Sequence, residues 1–201
     1  MSQTVTEKTF GGRACRIYTF GNPMVEVTAD PAALPPDAPL LIQPVDDHDL
    51  EVLDEEAGLI SELSGGRPFA LAAFKVDDWN DDLSPWYAPP VFGKEAFGGG
   101  AEKTLAYVRE VLVPELAMIA GADPQAPISE RRRTIYIGGY SLAGFFALWA
   151  AHMTELFRGV AAVSPSVWFP GWIEFAEAND LLAKLVYLSL GDREERARSH
   201  T

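Results

Sequence analysis

The sequence predicts an α/β fold, a mostly parallel sheet with helices on both faces, arranged as a three-layer αβα sandwich. Three observations predict it. Short apolar runs of strand length alternate with runs of helical period along the chain, and that alternation implies parallel pairing through crossover helices. One segment, Leu142–Phe157, is apolar nearly all round, as a helix packed on several sides must be. No internal repeat or low-complexity linker divides the 201 residues, a length that suits one domain, so residues 1–201 are read as a single unit.

The elements follow in order. Thr4–Phe10 and Arg16–Phe20 flank Gly11-Gly12 and read as a hairpin. Pro39–Val45 reads as a buried strand whose two prolines limit its ladder or mark its ends. Leu50–Leu63 sets Leu50, Leu53, Ala57, Ile60 and Leu63 at helical spacing with acids between them. Pro68–Val76 is a short apolar strand, followed by a long irregular stretch, Asp77–Gly100, rich in Asp, Pro, Trp and Gly. Loops of that length within a compact domain are usually functional or mobile. Ala101–Ile119 is amphipathic, with Leu105, Val108, Leu112, Leu116 and Ile119 on one face, and Pro114 is expected to kink or split it. Arg132–Ile137 leads as a strand into Gly138-Gly139. After the apolar helix come a strand at Val160–Val163, a helix at Trp172–Leu182 and a last strand at Leu185–Leu190.

Composition narrows the function classes. Hydrophobic content of 48% supplies a sizeable core, which excludes global disorder. Against 16 basic residues stand 29 acidic ones, a net charge of −13. Nucleic acids and anionic membranes require clustered positive charge, so neither is expected as a partner. Cys15 is the single cysteine, which leaves no intramolecular disulfide and no cysteine-based zinc site. The start, Met1-Ser-Gln-Thr-Val-Thr-Glu-Lys8, has no apolar core of a signal peptide. The apolar run Leu142–Ala151 is about half of what spans a bilayer, so a cytosolic protein is expected. The oligomeric state stays open.

The segment that carries chemistry is Ile135-Tyr-Ile-Gly-Gly-Tyr-Ser-Leu-Ala-Gly144, which contains G-x-S-x-A-G over Gly139, Ser141, Ala143 and Gly144. An apolar strand precedes it and an apolar helix follows. Small residues two before and two after the serine let strand and helix backbones approach, so a sharp turn can hold the hydroxyl exposed in a strained conformation. The serine also sits at a helix N-terminus, where free N–H groups favour developing negative charge. The N–H of Leu142 is then a natural oxyanion donor. The bland alternative is a serine that merely caps the helix. Two competing motifs fail: a dinucleotide fingerprint from Gly139 needs glycine at Ser141, and a phosphate loop from Gly98 needs glycine at Lys103.

The chain also resembles the esterases related to siderophore (enterobactin-type) esterases and to esterase D, which have the α/β-hydrolase fold. The similarity runs over most of Pro39–Glu195. Its carriers are Asp78-Trp-Asn-Asp-Asp-Leu-Ser-Pro-Trp86, Phe97-Gly-Gly-Gly-Ala101, Val113-Pro-Glu-Leu116, the serine elbow, Ala162-Val-Ser-Pro-Ser-Val-Trp168 and Val186-Tyr-Leu-Ser-Leu-Gly-Asp-Arg-Glu-Glu195. The resemblance implies hydrolysis of an ester, thioester or amide of a small molecule through an acyl-enzyme on Ser141, with no metal and no organic cofactor. It implies that the triad acid lies in Gly191–Glu195, with Glu194 the first candidate and Asp192 the second, in the chain order serine, acid, histidine. The acid would orient an imidazole and stabilise its cation. A solvated charge cluster is the alternative reading of the same stretch.

Asp46, Asp47 and His48 occupy the loop that the resemblance expects to offer the second oxyanion N–H. Trp86, with Trp79 and Tyr87, lies on the long loop that it implies borders the site. These aromatics are either an apolar wall for substrate or surface residues packing the loop onto the core. Trp168 carries the same two readings, and Tyr140 adjoins the serine by position alone.

The base is where the chain departs from the pattern. His152 stands 11 residues along the elbow helix, roughly 16 Å from Ser141 along its axis, which indicates a packed or capping histidine. His200 follows Asp192 by eight residues, far fewer than a crossover helix and strand require. His48 could reach the site but belongs to the oxyanion loop. The simplest expectation is therefore a hydrolase chain, C-terminally incomplete, that ends before the segment bearing its histidine and is poorly active. Rival readings are an acyltransferase using the same acyl-enzyme and a hydrolase scaffold that binds without turnover.

Overall fold

A computed structural model describes residues 2–21, 38–91, 93–119 and 133–191. Among these residues, seven strands form one sheet in the order β1-β2-β4-β3-β5-β6-β7. The hairpin of β1 (Ser2–Phe10) and β2 (Arg13–Gly21) turns at Gly11-Gly12, both at positive φ, and β2 runs antiparallel to β4 (Phe69–Lys75). From there to the other edge all pairs are parallel: β4 with β3 (Leu40–Val45), β3 with β5 (Ile135–Tyr140), β5 with β6 (Gly159–Val163) and β6 with β7 (Leu185–Ser189). The predicted α/β architecture is thus the observed one. Among the described residues, no helix is long and apolar enough to cross a membrane.

Alternation along β4 assigns the two faces. Ala70, Ala72 and Phe74 enter a large core with Ile17, Ile42, Leu105, Leu112, Phe146 and Trp172, whereas Phe69, Leu71 and Ala73 meet Tyr18, Phe20, Leu53 and Ala57. The second face is covered by α1 (Asp47–Leu63). It starts at a reciprocal capping box: Asp46 accepts from the Asp49 N–H, and the Asp49 carboxylate accepts from the Asp46 N–H. Beside α1 an apolar cavity of about 410 Å³, lined in part by Leu41, Ile60, Phe69, Tyr136, Ala161 and Tyr187, leaves that face less covered.

The large core is closed by α3 (Ala101–Tyr107), α4 (Val113–Ile119), α5 (Leu142–Met153) and α6 (Trp172–Ala178). A π-helical turn, Val108–Leu112, joins α3 to α4, with the Val113 N–H reaching the Val108 carbonyl. The split expected at Pro114 therefore falls one turn earlier, where the ladder adjusts ahead of the residue that lacks a donor. Two helices end sooner than their apolar content suggests. Thr154 is extended and its hydroxyl accepts from the Leu156 N–H, so Leu156 and Phe157 are buried from a turn and not from α5. Asn179 is extended and donates to the Phe175 carbonyl, which closes α6. β5 runs on through Gly138-Gly139 to Tyr140, further than the sequence reading, because that run pairs with Ala161–Val163.

The described residues of the Asp77–Gly100 stretch are arranged around a short α2 (Trp79–Asp82) and a bridge between Ala88 and Phe97. Its anchor is the fully buried Ser84, whose hydroxyl bonds the Asn80 carbonyl and accepts the Gly99 N–H. A 3.2 Å ion pair from Arg13 to Asp82 ties it to the β1–β2 turn, with the guanidinium 5.2 Å over the Tyr107 ring.

Candidate active site

Ser141 joins β5 to α5 at φ 55° and ψ −120°. A serine at positive φ costs of order 1–3 kcal/mol and persists only where its surroundings over-determine it. Here the chain is held on three sides. Its N–H donates to the Val163 carbonyl at 3.0 Å, and its carbonyl accepts from Phe145 at 3.0 Å and from Ser166 at 3.1 Å. The small residues of the motif are required sterically. A Cβ on Gly139 would stand 2.6 Å from the Cβ of Ala143, and one on Gly144 would stand 2.7 Å from the Gly139 carbonyl oxygen.

Ser141 occupies the N-cap position of α5 but makes no side-chain capping bond, so capping is not what its hydroxyl does. Its Oγ lies 3.4 Å from the Oγ of Ser166, and the residue is half-buried. Leu142 is the first residue of α5, so its N–H has no carbonyl within the helical ladder to serve. That N–H and the helix dipole are available to a negative charge growing beside Ser141.

The structure distributes the other sequence candidates unevenly. Asp46 spends its N–H on Asp49 as part of the cap, leaving Asp47 as the first N–H of α1 outside that pair. Burial raises the Asp49 carboxyl above its ordinary range, against the opposing pull of the Asp46 N–H hydrogen bond. Asp47 points its carboxylate at Lys75, 2.6 Å away. His48, in the first turn of α1, is largely exposed and pairs with Glu51 at 3.8 Å. The His152 Nδ1 sits 3.1 Å from the Asn179 carbonyl, and its ring packs edge-on against Trp172 and Phe175, the packed histidine that its position suggested.

Trp86 and Trp168 come together in one aromatic cluster. Trp86 donates its indole N–H to the Pro170 carbonyl at 2.8 Å and packs edge-on against Phe169 and tilted against Phe175, while Trp168 packs against Phe97 and Phe169. Trp86 thereby staples the long loop to the segment between β6 and α6. Tyr140 and Trp168 remain exposed at 59% and 45% beside the elbow strand and the β6 exit, accessible to a ligand as a core side chain would not be. Asp192, Glu194 and His200 lie outside the described residues.

Two residues of the site carried no role in the sequence reading. Ser164 adopts φ 44° and donates to the Ser189 carbonyl at 2.7 Å, which turns the β6 exit toward the elbow and fastens it to β7. Ser166 then reaches Ser141 with both its N–H and its hydroxyl. The signal was the Ser164-Pro-Ser166 run directly after an apolar strand, a turn whose hydroxyls and N–H groups face whatever lies at the neighbouring strand end.

No protein-family model matches the sequence, and no curated protein matches it. Solved structures do. The siderophore hydrolase EstB from Aspergillus nidulans matches with a TM-score of 0.62 at 19% identity, over 100% of this chain and 73% of that one. The siderophore hydrolase EstA from the same organism matches at 0.61 and 18%, over 100% and 72%. The BES protein from Bacillus cereus matches at 0.58 and 17%, over 95% and 74%. At these identities what is shared is the fold.

Proposed function

We propose that the protein is a serine hydrolase that cleaves a carboxylic ester, or a related acyl bond, of a small molecule through an acyl-enzyme on Ser141. The observation that carries the reading is the Ser141 elbow, a strained serine, uncapped and half-exposed, with the Leu142 N–H beside it. The fold shared with two siderophore hydrolases supports it. In the first half-reaction the Ser141 Oγ bonds the acyl carbon, its proton passes to a base, and the departing alkoxide takes up a proton to leave as the alcohol. Water then attacks the acyl carbon, releases the acid and restores the serine hydroxyl. The Leu142 N–H serves the tetrahedral oxyanion in both halves. Glu194 is the first candidate to orient the base and Asp192 the second.

A second reading, a hydrolase scaffold that binds without turnover, draws on the histidines. His48 pairs with Glu51 and His152 with the Asn179 carbonyl, whereas the described side-chain partner of the Ser141 hydroxyl is Ser166. One experiment separates the two. The 201-residue chain is treated with a fluorophosphonate probe, with and without added imidazole as a diffusible base. We expect slow labelling of Ser141, accelerated by imidazole and absent from Ser141→Ala. Peptide mapping that finds no adduct on Ser141 even with imidazole favours the binding scaffold.

A further inference from the structure

We propose that Ser166 is a positioning residue for the Ser141 nucleophile, an inference that rests on the reading of Ser141 above. Ser166 is 2% exposed, and a buried hydroxyl is costly unless it finds a partner. Among the described residues that partner is the Ser141 Oγ, 3.4 Å away. The same residue grips Ser141 by its main chain, donating its N–H to the Ser141 carbonyl at 3.1 Å. One side chain and one amide of Ser166 therefore hold both ends of the nucleophile, its peptide plane and its hydroxyl.

The direction of the hydroxyl pair follows from exposure. Each hydroxyl has one proton to give and two lone pairs to accept with. Ser166 is sealed in and has no other described acceptor for its proton, whereas Ser141 is half-exposed and can turn its own proton outward. Ser166 therefore donates to the Ser141 Oγ, and this donation selects one of the three staggered positions of the Ser141 side chain. The proton of Ser141 is left free for a base. As that proton departs and negative charge gathers on Oγ, a neutral hydrogen bond becomes a charge-assisted one, which is shorter and stronger. The contact is then worth more in the transition state than in the resting enzyme, so its loss slows the chemical step and leaves binding alone.

Ser164 makes the arrangement rigid. Its φ of 44° and its 2.7 Å bond to the Ser189 carbonyl set the direction in which Pro165 and Ser166 leave β6. Pro165 in turn stands against the elbow, 3.4 Å from where a Cβ on Gly144 would be.

The test is the kinetics of fluorophosphonate labelling at Ser141 in the presence of imidazole, resolved into the probe's affinity and its maximal rate of bond formation. Ser166→Ala should lower the maximal rate by roughly 10- to 100-fold with affinity unchanged and with the thermal midpoint close to that of the parent. Ser166→Thr and Ser166→Val have the same size and differ in the hydroxyl, so Thr should label faster than Val by a similar factor. Labelling of Ser166→Ala at the parent's rate, a change confined to affinity, or equal rates for Thr and Val would each overturn the role of Ser166 while the Ser141 reading stands. A parent protein that takes no label overturns both.

Discussion

The strands β5 and β7 look alike as sequence, Ile135-Tyr-Ile-Gly-Gly-Tyr140 against Leu185-Val-Tyr-Leu-Ser189, short apolar runs with an aromatic inside. Their surroundings differ completely. β5 is flanked by β3 and β6 and leads into α5, in which every residue from Leu142 to Ala151 is buried. β7 pairs, among the described residues, only with β6, and its Leu185, Val186, Tyr187 and Leu188 are 46–61% exposed. The nucleophile stands on a chain held by neighbours on three sides, whereas the candidate acids Asp192 and Glu194 follow in sequence a strand that, among the described residues, has a neighbour on one side alone. The difference teaches what a strained serine needs. A positive φ is sustained by contacts that leave the chain no other course, and β5–α5 supplies them.

Substitutions can break this comparison directly. The largest effect is expected at Phe146, fully buried in α5 and in contact with Trp149. Phe146→Ala should cost about 3–5 kcal/mol in a urea titration, the cost of the lost ring and the cavity it leaves. Gly139→Ala comes next, at about 1–3 kcal/mol. Its new Cβ would stand 2.6 Å from the Ala143 Cβ and 2.8 Å from the Ala143 carbonyl carbon, so main chain must move and no rotamer relieves it. That movement displaces Ser141, and fluorophosphonate labelling should fall much further than stability does. Leu188→Ala on β7 should change stability by only about 0.5 kcal/mol, because half of its side chain is already in water. A Leu188 loss comparable with that of Phe146 would show that the two strands are equally supported and would end the contrast.

How much of this was readable beforehand depends on which physical rule sets each feature. Periodicity located the strands and helices, and the spacing Gly139-x-Ser141-x-Ala143-Gly144 located the elbow, because both are local consequences of side-chain size and hydropathy. The limits of α5 and α6 were missed because Thr154 and Asn179 end them by side-chain bonds to the main chain, which hydropathy does not register. The role of Ser166 was invisible for another reason. It lies 25 residues from Ser141 along the chain and meets it only through the pairing of β6 beside β5. Asp46 is a local case that was also misplaced: it was expected in the oxyanion loop, whereas its carboxylate and its N–H are both engaged by Asp49 in the cap of α1.

The smallest effect sharpens the comparison from the opposite face of the sheet. Glu56 lies on α1, beside the face that the 410 Å³ cavity leaves less covered. Its carboxyl is pushed above the ordinary range, first by desolvation and further by Asp49, with the Gln43 amide at 3.2 Å pulling the other way. The folded chain thus holds this proton more tightly than the unfolded chain, whose glutamates titrate near about 4.3. The contribution to stability is complete below that pH and is lost as pH rises through the folded value. At neutral pH the protein carries the cost of a half-buried carboxylate. Glu56→Gln keeps an acceptor for the Gln43 amide and removes the charge, so it should stabilise at pH 7 by up to about 0.5 kcal/mol. In urea titrations at pH 7 and pH 4 the gain should shrink toward zero at the lower pH. A variant that is less stable than the parent at pH 7 would show that the Gln43 bond to the ionised carboxylate outweighs desolvation, and that this face is wetter than the burial of Glu56 implies.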